Sequence, residues 1–267
     1  MTGSGSFPPG ISGTVEGSGD RLPLLWGHGL TSSREDEDRA GLFRWSAAGR
    51  RVIRWDAPGH GRSAPARGPE ILEWRELGRT MLSVADANGV GRFVAGGTSM
   101  GTATSLWAAV AAPERVAAML LVVPPTGWDS RPAQAAIYRE DAELLDREGV
   151  TALADRSEEL PLPPVFAPVE GQVRAARRAS LLAADARNLA TVFRGAAASD
   201  LPAPEEIAGL AMPTLILAWA GDPGHPVSTA ERLAQLLPQA RLEVGGDLKS
   251  ILGWSQVGSE WLEGLAE

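Results

Sequence analysis

Residues 94–101 read Val94-Ala95-Gly96-Gly97-Thr98-Ser99-Met100-Gly101. A serine stands between two glycines at Gly-x-Ser-x-Gly spacing, directly after an apolar run. That spacing makes chemical sense at a sharp strand-to-helix turn. There the serine backbone is strained, its hydroxyl is exposed at the top of a sheet, and the glycines let strand and helix approach closely. The flanks supply that context: 92–96 reads as a strand and 100–112 as an Ala-rich helix stopped by Pro113.

Outward from this turn, short apolar runs alternate with helical spacing. Strands are expected at 22–26, 52–55, 116–123, 214–220 and 241–244. Helices are expected at 33–48, 70–88, 229–237 and 254–265, and a weak hairpin within 5–20. Between 129 and 208 the strand pattern stops. Helical spacing covers 132–148, 151–158 and 169–193, interrupted by the Pro-rich stretch 160–168. The alternation predicts an α/β fold, a mostly parallel sheet with helices on both faces. Residues 1–128 and 209–267 form its core domain. Residues 129–208 form a helical cap over the carboxyl edge of the strands, where ligands bind in such folds.

Two further loops follow strands. Trp26-Gly27-His28-Gly29-Leu30-Thr31-Ser32-Ser33 can aim a backbone N–H, that of Leu30, at a developing oxyanion, with the Met100 N–H as second donor. His28 and Gly29 then border the substrate. Asp56-Ala57-Pro58-Gly59-His60-Gly61-Arg62-Ser63 is a sharp loop in which His60 is structural.

Together these three motifs, in this order, resemble the α/β-hydrolase superfamily, over nearly the whole chain. The resemblance implies an eight-stranded-type sheet and a chain order of nucleophile, acid, then His. It also implies that serine in the elbow disfavours the dehalogenase and epoxide-hydrolase types, which place Asp there. The pattern departs at the chain's end. The acid loop reads Gly221-Asp222-Pro223-Gly224-His225-Pro226, with Gly224 at the position aligned with the acid and Asp222 two residues early. The loop that carries the base in similar proteins reads Gly245-Gly246-Asp247, and no His follows His225.

A Ser hydroxyl is a weak nucleophile without a base, so the candidate catalytic set is Ser99, His225, Asp247 and Asp222. In one arrangement the partners are exchanged, with Asp247 orienting His225 and His225 reaching Ser99. In another, Asp222, Asp247 or Asp129 serves a non-hydrolytic reaction of lyase, cyclase or isomerase type. In a third, the pocket binds a ligand without turnover. Asp222 and Asp247 also read as loop or helix caps. Trp26, Trp128 and Trp219, three of nine tryptophans, end predicted strands and suggest a rim for a bulky apolar or aromatic substrate. Arg177, Arg178 and Arg187 read either as cations over the pocket or as a solvated helix face.

Composition narrows the class. The 267 residues carry a net charge of −8 and no cysteine, which argues against nucleic-acid or anionic-lipid partners and against thiolate chemistry. With three scattered His no metal site is expected, and no cofactor fingerprint is present. The N-terminus lacks a signal-peptide pattern. The expectation is a cytoplasmic monomer or homodimer acting on a small molecule, most plainly as a hydrolase of an ester or lactone.

Overall fold

The computed structural model describes residues 2, 3 and 5–265. The strands are β1 (Thr2–Gly3), β2 (Gly13–Glu16), β3 (Arg21–Gly27), β4 (Arg50–Trp55), β5 (Phe93–Thr98), β6 (Val116–Val122), β7 (Thr214–Trp219) and β8 (Ala240–Gly245). They form one sheet in the order β1-β2-β4-β3-β5-β6-β7-β8. From β4 to β8 every pairing is parallel, while β1 and β2 are antiparallel. Every residue of β5 and β7 is buried, the signature of strands covered on both faces.

The helices are α1 (Arg34–Ala40), α2 (Trp74–Ala87), α3 (Met100–Ala111), α4 (Arg131–Glu159), α5 (Glu170–Ala183), α6 (Ala186–Ala197), α7 (Pro204–Ala208), α8 (Val227–Leu236), α9 (Leu248–Leu252) and α10 (Trp254–Glu263). One core cluster joins the sheet to α2, α3 and α8 through Leu77, Met81, Leu106 and Leu233. The other joins its opposite face to α10 through Trp26, Trp254 and Leu262. Helices α4 to α7 all fall between β6 and β7.

Several element ends differ from expectation for local reasons. The helix expected over 33–48 is α1 alone. Ser33 caps it by accepting the Asp36 N–H, and Gly41, at φ 68°, terminates it. The stretch 169–193 divides into α5 and α6 because Asp185 accepts the Asn188 N–H and starts a new helix. Gly149, at φ 79°, breaks α4 between the two helices expected there. The hairpin expected within 5–20 does not form there: that span holds one strand, β2, which pairs antiparallel with β1, Thr2 opposite Glu16, and with β4. Among the described residues no helix is long and apolar enough to cross a membrane.

Candidate active site

Strand β5 ends at Thr98 and α3 begins at Met100, so Ser99 alone makes the turn, at φ 52° and ψ −106°. A non-glycine residue there carries about 1–3 kcal/mol of strain. The surroundings hold it. The Ser99 N–H donates to Val122 O at 2.9 Å. Thr102 Oγ1 lies 2.9 Å from Gly97 O and 3.1 Å from Val122 O, beneath the turn. The flanking glycines answer a steric need: a Cβ on Gly101 would stand 2.0 Å from the Gly27 carbonyl oxygen, and one on Gly97 2.5 Å from the same atom. Three glycines thus press β3, β5 and α3 together and lift Ser99 out.

The base comes from the loop between β7 and α8. Gly221, at φ 79°, turns the chain so that Asp222 and His225 face each other across one tight turn, with the His225 N–H donating to Asp222 O at 3.2 Å. His225 Nδ1 lies 2.8 Å from Asp222 Oδ2, and His225 Nε2 lies 2.7 Å from Ser99 Oγ. Trp219 Nε1 donates to Asp222 Oδ2 at 2.9 Å, and the Gly224 N–H donates to Oδ1 at 2.9 Å. Burial alone would raise the Asp222 carboxyl. The hydrogen bond and charge of His225, with the Trp219 and Gly224 donors, outweigh it and hold the group down to about 2. An ionised Asp222 can only accept, so the imidazole carries its proton on Nδ1. Its Nε2 is then the acceptor for the Ser99 hydroxyl. The loop is tied to the strand-end beyond β6 by the Thr126 N–H, which donates to Gly224 O at 3.1 Å.

The loop after β3 lies alongside. A Cβ on Gly29 would sit 3.9 Å from the Ser99 Cβ. The Ser32 N–H closes a turn on Gly29 O at 3.2 Å, and His60 Nε2 holds Leu30 O at 2.6 Å. The Leu30 N–H inside that turn makes no hydrogen bond among the described residues. The Met100 N–H, at the first position of α3, is one of the donors a helix leaves free. A cavity of about 430 Å³ lies beyond Leu30, between the loops that carry His60 and Ser32 and the end of α5 at Leu181 and Ala184; Ser99 and His225 are not among the residues that line it.

A strained serine at a strand–helix elbow, a histidine on it, and two spare amides beside it narrow the choice of family, and the sequence comparison decides it. The family model described as alpha/beta hydrolase fold matches residues 23–247. The chain belongs to the α/β-hydrolase superfamily. Within that superfamily it is similar to 3-oxoadipate enol-lactonase 2 of Acinetobacter baylyi, 24% identical over 72% of this chain and 69% of that protein. Among solved structures it resembles the enol-lactonase of Burkholderia xenovorans, at TM-score 0.76 and 21% identity, covering 95% of this chain and 94% of that one. It also resembles a thermophilic esterase of Thermogutta terrifontis, at TM-score 0.76 and 25% identity, covering 98% and 97%.

The α/β-hydrolase site is assembled differently from the exchanged arrangement in one respect. Asp247 does not orient His225. It is exposed at the start of α9, where it accepts the Ser250 N–H at 2.8 Å and the Ser250 hydroxyl at 2.6 Å. The Ser250 hydroxyl and N–H hold its carboxyl below the usual range. Asp222 takes the orienting place because a three-residue turn brings its carboxylate to Nδ1. Chain order therefore remains serine, acid, histidine.

The expected aromatic rim does not form. Trp26 is buried under the sheet, its Nε1 donating to Glu37 Oε2 at 2.8 Å. Trp128 packs against the core and donates to Pro202 O at 2.9 Å. Trp219 stacks on Trp254, 6.1 Å between centroids at 8°, and serves Asp222. Asp129 is exposed in a short turn. The His28 ring is buried, with Nδ1 against Gly29 O at 2.8 Å and Nε2 accepting the Ala57 N–H at 3.0 Å, so neither nitrogen is open to a ligand. Burial, with the neighbouring His60, drives its pKa to about 3.

Sequence reasoning missed the Trp219 indole as a support of the acid. Its signal was spacing: an aromatic donor three residues before an Asp in a glycine-bearing loop. Replacing Trp219 with Phe removes that single donor to a carboxylate. The expected result is a fall in ester kcat of about tenfold with KM kept, read by steady-state kinetics. An unchanged kcat would remove Trp219 from the account.

Proposed function

We propose that this chain hydrolyses carboxylic esters or lactones of small molecules through an acyl-enzyme on Ser99. The observation that carries this reading is the unbroken relay from Ser99 Oγ to His225 Nε2 at 2.7 Å and from His225 Nδ1 to Asp222 Oδ2 at 2.8 Å. Ser99 Oγ attacks the carbonyl carbon while His225 Nε2 takes its proton. The carbonyl oxygen becomes an oxyanion held by the Leu30 and Met100 N–H groups. The imidazolium formed is stabilised by Asp222, which stays ionised. The C–O bond to the leaving alkoxide breaks and that oxygen receives the proton from Nε2. In a lactone the leaving oxygen stays tethered to the acyl group. Water then repeats the sequence, giving up a proton to His225 and releasing the acid. Residues 129–208 act as a cap over this edge of the sheet. The enol-lactonase and esterase relatives support the ester and lactone class.

Acid quenching of the chain during turnover of p-nitrophenyl acetate, followed by peptide mass spectrometry, tests the reading. Acetyl on Ser99, absent from Ser99→Ala together with turnover, is expected. Undiminished turnover by Ser99→Ala would contradict it.

A further inference from the structure

The two edges of the sheet are finished differently. One ends on β1, which is only two residues long, a short edge of the kind that resists further pairing. The other ends on β8, Ala240-Arg241-Leu242-Glu243-Val244-Gly245, which pairs with β7 along its whole length without a register shift. It carries no Pro, Lys or bulge to guard it, and its two charges are of opposite sign.

The ladder with β7 settles which backbone groups face outward. The Thr214 N–H donates to Gln239 O at 3.1 Å, and the Ala220 N–H donates to Gly245 O at 3.3 Å. Odd-numbered residues of this stretch therefore spend their groups on β7, and Ala240, Leu242 and Val244 turn theirs outward. The Ala240 N–H folds back on Leu237 O at 3.1 Å. The N–H groups of Leu242 and Val244, and the carbonyls of all three, make no hydrogen bond among the described residues. Apolar surface lies beside them. Val244 is 47% exposed, and α9, which packs against β8, ends on Leu252, 60% exposed.

Arg241 and Glu243 stand two residues apart on one face of β8 and pair with each other within the chain. A second copy meeting this edge about a two-fold axis runs antiparallel, and one register satisfies both charges. Centred on Leu242, it sets Arg241 opposite the second copy's Glu243, Glu243 opposite its Arg241, and Ala240 opposite its Val244. The backbone matches in the same register. The two Leu242 residues exchange both bonds, and each Val244 N–H meets an Ala240 carbonyl. The N–H already spent, that of Ala240, is not needed for these bonds. Centring on Arg241 or Glu243 puts like charges face to face, which is destabilising. Centring on Ala240 or Val244 leaves both charges without an opposite.

We propose that β8 is a homodimer interface, at which two copies of this chain join edge to edge, antiparallel about Leu242, into one continuous sheet. The partner is a second copy because the charge pattern of the strand is complementary to itself.

Sedimentation velocity over a concentration series of the full chain tests this. The wild-type chain should dimerise with a Kd of about 100 μM or tighter. Glu243→Arg gives the strand two arginines and Arg241→Glu gives it two glutamates, so each alone should weaken the dimer at least about tenfold. Mixed in equal amounts, the two variants should form a heterodimer as readily as the wild-type chain dimerises. The double exchange Arg241→Glu/Glu243→Arg keeps the pair within the strand and guards against misfolding of the single variants. It should dimerise with itself as the wild-type chain does, yet form no heterodimer with the wild-type chain, since that mixture sets Arg against Arg and Glu against Glu. A wild-type chain that stays monomeric up to that concentration would overturn the proposal. So would single variants that dimerise undiminished, or a double exchange that mixes freely with the wild-type chain.

Discussion

His225→Ala lowers kcat/KM for an activated ester by at least roughly 10⁴-fold, while Asp247→Ala leaves it within about twofold of wild type. The contrast follows from position. Without the imidazole the Ser99 hydroxyl loses the proton acceptor 2.7 Å from it, and what remains is the oxyanion donors and binding. Asp247 spends its carboxylate on Ser250 at the start of α9, and its removal costs a helix cap. Asp222→Asn should approach the His225→Ala loss, because an amide no longer enforces the Nδ1–H tautomer. Steady-state kinetics on the three variants checks this. A large loss in Asp247→Ala with a small one in Asp222→Asn would reverse the assignment of the acid.

Glu37→Gln changes how stability depends on pH. Glu37 is buried in α1, behind the elbow, with Oε2 bonded to Trp26 Nε1 and 3.3 Å from Arg54. Arg54 is pushed up despite its burial, first by its bond to Asp38 and then by the charge of Glu37. Its main partner is thus Asp38, and Glu37 is left short of compensation. Burial raises the Glu37 carboxyl from 4.5 to about 7, against the Trp26 and Arg54 contacts that lower it. A carboxyl that holds its proton more tightly when folded stabilises the native state fully below about 4.5. That contribution is lost as pH rises through about 7, and the loss amounts to about 3 kcal/mol. Denaturant unfolding of both forms at pH 5 and pH 8 measures it. The wild-type chain should lose about 3 kcal/mol relative to Glu37→Gln between the two. Parallel pH curves would show that Glu37 stays ionised throughout.

Much of this architecture was legible because its determinants are local. The elbow is written in Gly97, Ser99 and Gly101, whose contacts with Gly27 admit no side chain, and the sheet is written in apolar runs such as 116–123. The Ser99–His225 pair was accessible as well, since only three histidines exist and two sit in tight loops. What stayed hidden depends on side-chain direction. Asp222 and Asp247 carry the same carboxylate in similar glycine-bearing loops. Only the turn geometry set by Gly221 tells which of them meets Nδ1. Trp26 and Trp219 both end strands, but one faces beneath the sheet and the other meets the site.

The central claim is that Ser99 is activated by a histidine supplied three residues after its own acid. Labelling with a fluorophosphonate at neutral pH, read by intact mass and peptide mapping, tests it most directly. The account predicts one label per chain on Ser99, retained in Asp247→Ala and lost in His225→Ala. An unlabelled wild-type chain, or equal labelling without His225, would contradict it.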